Sequence, residues 1–328
     1  MSLVTIRGRL ARLLPEPGDL LGRGALFVLQ LVAIAWFSPG RGLPLDDAWI
    51  HQVVARTFAE TGTLGYAPGQ HGAAATSYLW ALLLALGYKV PVLEPSRWAL
   101  ALNTLAAATS GQLLYAMVLR ARPRASGGAT ELEPTPREWS LIALAATLVA
   151  VCSPNVLWFV CSGMEATPFI ALSLAAIAAA TTSRSLGAGV AAGALALLRP
   201  EGIPLGAVLA AYVLLRTRDL RRALTLAGPW LLAVAVYVGS NVAKTGHAVP
   251  STLAGRRWLW FALSGGYSRL DRVLDFADAW GTRLGSYTFE TSLAVIVILA
   301  AIAVYGALRL ASARDPASDG VKLVVAWA

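Results

Sequence analysis

The chain has 328 residues, of which 57% are hydrophobic and only 14% are charged, and its mean hydropathy is +0.62. A soluble domain carries about 25% charged residues, so this composition excludes a chain built only of soluble domains. The formal net charge of +9 comes from arginines that cluster between apolar runs, as the positive-inside rule predicts for membrane proteins, and we therefore expect no nucleic-acid partner.

Long apolar runs predict helices that cross a membrane, because a crossing takes about 17–25 apolar residues. In chain order they are 22–38, 97–119, 139–159, 166–182, 223–241 and 289–309. Two shorter runs, 186–198 and 202–215, flank the turn Arg199–Gly202 and are counted as crossings too. The sequence therefore predicts an all-α, polytopic helical bundle of about eight spans, with residues 1–328 as a single transmembrane domain.

The apolar run Tyr78–Val90 is predicted to lie in the membrane interface, with Tyr78 and Trp80 as anchors. If it crossed, the arginines at 120–124 and 216–222 would lie outside, on the wrong side for basic clusters. With this run in the interface, both termini and the linker 120–138 are cytoplasmic. The segments 39–96 and 242–288 become extracytoplasmic loops, the first of which contains interfacial helices. We expect a multi-pass protein of the plasma membrane.

The first loop carries two adjacent carboxylates, Asp46 and Asp47, before a predicted amphipathic helix over residues 48–61. Asp47 and His51 are four residues apart and so share a face. Two interpretations stay open: Asp46 caps the helix while Asp47 favours its positive end, or one of the two faces a substrate. The apolar face of the helix is predicted to contain Trp49, Val53 and either Val54 or Phe58.

Two further groups of ionisable residues are predicted on the same side of the membrane. Arg199 and Glu201 lie beside Pro200 between short apolar runs, where charged groups usually face a cavity. An ion pair of Arg199 with Glu201 or Glu165 that only fixes helix packing is the alternative. In the last loop the basic residues are Lys244, His247, Arg256 and Arg257. They are candidates for binding a lipid phosphate, or belong to an ordinary solvated loop.

Several motifs in a fixed order resemble the glycosyltransferase C superfamily, in the bacterial branch of arabinofuranosyltransferases and protein O-mannosyltransferase-like enzymes. The matching stretches are Asp46–Ile50, Gly62–Gly69, Gly72–Trp80, Ser162–Glu165, Arg199–Gly202 and Gly246–Thr252. The resemblance covers about residues 24–260. Relatives usually add further spans and an extracytoplasmic C-terminal domain, which we expect to be absent here.

The resemblance implies an inverting transfer of a pentose or hexose from a polyprenyl-phosphate donor to a cell-envelope glycan or protein. Asp46 would be the base, and Asp47 would orient the donor. Substrate binding would fall to the remaining candidates: His51, Glu165, Arg199, Glu201, Lys244, His247 and Arg256. No cofactor is required, although Asp46 and Asp47 are the candidate ligands for a divalent ion.

Two other functions remain as alternatives. A transporter of lipid-linked sugars would need polar residues along its spans, and many transporters are built from internal repeats; this chain concentrates its polar residues outside the spans and shows no repeat. A non-catalytic scaffold subunit of a longer transferase would fit the expected lack of a C-terminal domain.

Overall fold

The computed structural model describes residues 17–38, 40, 42–69, 76–90, 92–122, 134–248 and 319–327, with single positions at 258, 270, 271, 274 and 275. The regular structure in this part of the chain is helical, which confirms the all-α prediction. The helices are α1 (Pro17–Phe37), α2 (Asp46–Thr61), α3 (Tyr78–Lys89), α4 (Pro95–Arg120), α5 (Pro136–Val151), α6 (Pro154–Cys161), α7 (Ala166–Thr181), α8 (Ser185–Leu198), α9 (Gly202–Thr217), α10 (Leu220–Thr245) and α11 (Asp319–Trp327).

Two described helices are long and apolar enough to cross a membrane, namely Asp19–Phe37 within α1, and α10. The bent pair α5–α6 adds a third crossing if it is one broken span. Large apolar side chains such as Leu21, Val32 and Trp36 are exposed along α1, with Trp36 91% exposed. Contiguous apolar surface of this kind indicates contact with lipid or protein. The helices are thus consistent with a membrane protein.

The number of eight spans is not confirmed. Helices α7, α8 and α9 have only 16, 14 and 16 residues and fall among the shorter apolar helices. The predicted span 139–159 is broken where Pro154 begins α6, and the two halves meet at 55°. Proline lacks the N–H that would continue the α5 ladder. The predicted span 289–309 lies outside the described residues.

Helix α4 covers the predicted span 97–119 but does not reach the apolar content of α1 and α10. Two of its polar side chains, Asn103 and Ser110, are buried. At its contact with α1, Gln30 Nε2 donates to the Ala107 carbonyl at 2.9 Å and Gln112 Nε2 donates to the Arg23 carbonyl at 3.0 Å. The polarity of α4 therefore serves the helix–helix contact.

Helices α8 and α10 approach each other closely through two glycines four residues apart. A Cβ atom at Gly189 would lie 2.3 Å from the Leu226 carbonyl oxygen, and one at Gly193 would lie 3.0 Å from that of Pro229. Small residues at this spacing let helix backbones meet in membranes. Leu195 of α8 and Leu226 of α10 are fully buried in the largest apolar cluster.

Tyr78 and Trp80 of α3 are buried against other helices, so they were wrongly predicted to be interfacial anchors. Trp80 is 0% exposed and lies against the small residues Ala55 and Ala59 of α2. Tyr78 is also buried, and its hydroxyl donates to Asn241 Oδ1 of α10 at 2.6 Å. At 12 residues, α3 is too short to cross a bilayer.

Candidate functional site

Three segments that are far apart in sequence meet at Glu165. His51 Nε2 of α2 lies 3.4 Å from Glu165 Oε2, and Arg199 Nε, at the end of α8, lies 3.6 Å from Glu165 Oε1. Arg199 also reaches Glu201, with Nη2 3.3 Å from Oε1. The structure thus brings together His51, Glu165, Arg199 and Glu201, and both ion pairs that the sequence left open for Arg199 are present.

The turn that carries Glu165 is held by its neighbours on several sides. Gly163 has φ of +75°, a left-handed conformation that favours glycine. Its carbonyl accepts a hydrogen bond from Trp80 Nε1 at 3.3 Å, and a Cβ at this position would lie 2.6 Å from Leu43 Cδ2. Ser162 Oγ accepts from the Met164 N–H at 3.2 Å. The turn therefore fixes where α7 begins and where Glu165 points.

The buried face of α2 matches the predicted one only in part, since Val54 is fully buried. Trp49 is 48% exposed and Val53 is half-buried, whereas His51 and Gln52 are buried. Gln52 Oε1 accepts from the Tyr88 hydroxyl at 2.9 Å, and Gln52 Nε2 donates to the Pro95 carbonyl at 3.4 Å. Gln52 thus links α2 to α3 and α4 while His51 faces Glu165.

Burial determines the charge state of His51. It lowers the pKa of the imidazole below its ordinary value, and Arg199 acts in the same direction, while Glu165 and Asp47 oppose the shift. His51 is therefore neutral near pH 7. Two buried atoms of this group, His51 Nδ1 and Glu165 Oε2, have no hydrogen-bond partner among the described residues. Such orphaned atoms are uncommon in packed interiors and mark a place where water or a ligand would bind.

Asp46 and Asp47 are exposed at the first turn of α2. The N-cap is Leu45 rather than Asp46, and the two carboxylates are linked locally, by a hydrogen bond from the Asp47 N–H to Asp46 Oδ1 at 2.9 Å. Asp47 lies close enough to His51 to act on its charge. Among the described residues no three His, Cys, Asp or Glu side chains converge as metal donors, and a divalent ion at these carboxylates stays a prediction.

Lys244 belongs to a second group, between α3 and α10, that the sequence analysis largely missed. Its Nζ lies 4.8 Å from the centre of the Tyr78 ring, and that ring packs on Tyr237 with centroids 5.3 Å apart. Tyr78 was predicted to be an interfacial anchor, because an aromatic residue at the start of a short apolar run is typical of one, and Asn241 was not singled out. Within the described part of the chain Lys244 forms no ion pair with a carboxylate.

Of the remaining basic candidates, His247 joins neither group. His247 is exposed just after α10, and its backbone N–H donates to Thr245 Oγ1 at 3.3 Å. Arg256 and Arg257 lie outside the described residues.

The two groups and the first turn of α2 together offer three kinds of ionisable side chain. These are the exposed carboxylates of Asp46 and Asp47, the Arg199 guanidinium paired with two acids, and the half-buried ammonium of Lys244. Carboxylates accept protons, and the cations can neutralise a phosphate. Comparison with protein-family models, with curated proteins and with solved structures found no match to this chain.

Proposed function

We propose that this chain is a membrane glycosyltransferase that moves a pentose or hexose from a polyprenyl-phosphate donor to an extracytoplasmic acceptor, with inversion. One observation carries the proposal: Glu165 and Arg199, from two separate motifs of the resemblance, are in contact, and Glu165 also contacts His51, which directly follows the Asp46–Ile50 motif. Asp47 is exposed one helical turn before His51 and lies close enough to act on the charge of its imidazole.

The proposed reaction needs one base and one site for a leaving phosphate. The acceptor hydroxyl oxygen attacks the anomeric carbon, and the bond from that carbon to the phosphate oxygen breaks. Asp46 takes the hydroxyl proton, and the polyprenyl phosphate leaves with the bonding electron pair. Asp46 suits this role because its carboxylate is exposed and does not occupy the N-cap position.

Arg199 is the best-placed cation for the phosphate. Its side chain is 35% exposed, and its Nε and Nη2 atoms face Glu165 and Glu201, which hold the guanidinium in one orientation. A guanidinium has five N–H donors, so further donors remain for a phosphate oxygen. A positioned cation stabilises the charge that develops on the leaving group. Lys244 would be the second cation, at the end of α10.

The carboxylates provide the test. In purified protein supplied with polyprenyl-phosphate pentose and hexose donors, Asp46→Asn should lower the transfer rate by about 10²–10⁴-fold, the usual contribution of a general base. Asp47→Asn should lower it through weaker orientation of the donor.

Asp219→Ala is the matched control, because Asp219 is an N-cap whose carboxylate accepts from the Arg222 N–H at 3.2 Å. It should cost about 1 kcal/mol of stability and leave the rate of folded protein unchanged. If Asp46→Asn and Asp47→Asn both keep the wild-type rate while folded, the proposed mechanism is wrong and the scaffold alternative gains support.

A further inference from the structure

A cavity of about 470 Å³ has no role in the chemistry described above. It is formed between the segment after α1 and the beginning of α4. Its wall includes Ser38, Leu43, Glu94, Ser96, Arg97 and Leu100. The volume falls within the range of about 300–1,000 Å³ that is usual for small-molecule sites.

The cavity adjoins the site through Leu43. The Leu43 side chain contacts Gly163, in the turn that carries Glu165. The Leu43 carbonyl accepts a hydrogen bond from Trp49 Nε1 of α2 at 3.2 Å. Asp46, the proposed base, follows Leu43 by three residues and is exposed at the N-terminus of α2.

The polar groups of the cavity fit sugar hydroxyls better than a phosphate. Glu94 and Arg97 give the wall one negative and one positive charge, whereas a phosphate site needs an excess of cations. A sugar hydroxyl both donates and accepts, so it can bond to a carboxylate and to a guanidinium. Glu94 accepts from the Ser96 N–H and hydroxyl, which fixes its orientation, and Arg97 is exposed with no ion pair among the described residues. Leu43 and Leu100 supply an apolar wall for the C–H faces of a sugar ring.

We propose that this cavity binds the acceptor, and that the acceptor is a neutral oligosaccharide rather than a protein. Its place in the reaction rests on the proposed function. Binding of the oligosaccharide to the cavity can be tested without any transfer.

The experiment measures binding of a neutral arabino-oligosaccharide and a neutral manno-oligosaccharide to the purified full chain in detergent, by saturation-transfer NMR and calorimetric titration. Arg97→Gln should weaken binding of one of these probes by about tenfold, as expected for one lost charge-assisted hydrogen bond. Glu94→Gln keeps an oxygen for the Ser96 N–H. Combined with Arg97→Gln, it should weaken binding of the oligosaccharide further. Arg56→Gln and Glu60→Gln, at exposed positions of α2, are the matched controls and should bind as the wild type does.

Three results would overturn the inference: neither oligosaccharide binds the wild type at millimolar concentration, Arg97→Gln binds as tightly as Arg56→Gln, or inorganic phosphate or a serine-rich peptide displaces the sugar. Binding that follows the expected pattern in a protein that transfers no sugar would support the cavity assignment and contradict only the proposed function.

Discussion

Glu165 is a buried carboxylate whose two oxygens face different partners, His51 and Arg199. A buried charge is stable only when it is paired, so the carboxylate of Glu165 depends on these two partners. Arg199 is partly exposed and has a second acid, Glu201. Loss of Glu165 therefore affects the interior more than loss of Glu201 does.

Glu165→Gln should lower the free energy of unfolding by about 1–3 kcal/mol, because Arg199 loses its buried partner and His51 loses the carboxylate that faces it. Glu201→Gln is the control and should cost less than about 1 kcal/mol, since this acid is exposed. Thermal unfolding of both variants in detergent measures the difference. Equal losses would contradict the central role given to Glu165.

The lowered pKa of His51 makes stability depend on pH. Because the folded-state pKa lies below the unfolded-state value of about 6.5, the unfolded chain takes up the proton first on acidification. This contribution to stability is complete above pH ~6.5 and is lost as the pH falls through the folded-state pKa, at no more than about 1.4 kcal/mol per pH unit.

Thermal unfolding at several pH values between neutral and acid should show a smaller acid-induced loss in His51→Gln than in the wild type. His247→Gln, at an exposed position, should keep the wild-type slope. The assignment of this effect to His51 fails if the two variants have the same pH dependence.

At the scale of single elements, the sequence was a more reliable guide to where helices form than to how they pack. The predicted helix 48–61 is α2, which begins two residues earlier at Asp46. Periodicity selected the large apolar residue Trp49 for its buried face. The packed face instead contains Ala55 and Ala59, which share a buried cluster with Trp80 of α3. A partner on another helix is not visible in local periodicity.

The contact of α8 with α10 predicts opposite effects for two glycine substitutions. Gly189→Ala should destabilise the protein by about 1–3 kcal/mol, because the added Cβ meets the Leu226 backbone rather than a side chain that can move. Gly239→Ala, on the exposed side of α10 with no neighbour within 4 Å, should stabilise it by up to about 1 kcal/mol. Unfolding midpoints of the two variants measure both effects, and a stabilising Gly189→Ala would contradict the close approach.

At the scale of the whole molecule, the all-helical class followed from composition, whereas the span count did not. Hydropathy alone predicted that α5 and α6 form one span across Pro154. It also predicted that α4 crosses the membrane as α1 does. The groups that meet at Glu165 were predicted on one side of the membrane because charge bias orders the loops. The contact between His51 and Glu165 could not be predicted, since it depends on which face of α2 packs against the turn that carries Glu165.

The predicted topology can be tested by cysteine labelling. With Cys152 and Cys161 replaced by serine, a membrane-impermeant reagent applied outside should modify Gln70→Cys but not Gly128→Cys, both of which lie outside the described residues. The reason is that the arginines at 120–124 favour the cytoplasmic side. Labelling of Gly128→Cys alone would reverse the assigned orientation.

The lengths of the helices beneath Glu165 have a consequence for the surrounding lipid. At 16, 14 and 16 residues, α7, α8 and α9 measure about 24, 21 and 24 Å, less than the roughly 30 Å of a hydrocarbon core. If they cross, hydrophobic mismatch thins the bilayer on this flank of the molecule. Glu165 and Arg199 lie at the ends of α7 and α8. In the proposed function, the lowered headgroup plane would bring the phosphate of the lipid donor down to the guanidinium while its lipid chain stays in the leaflet.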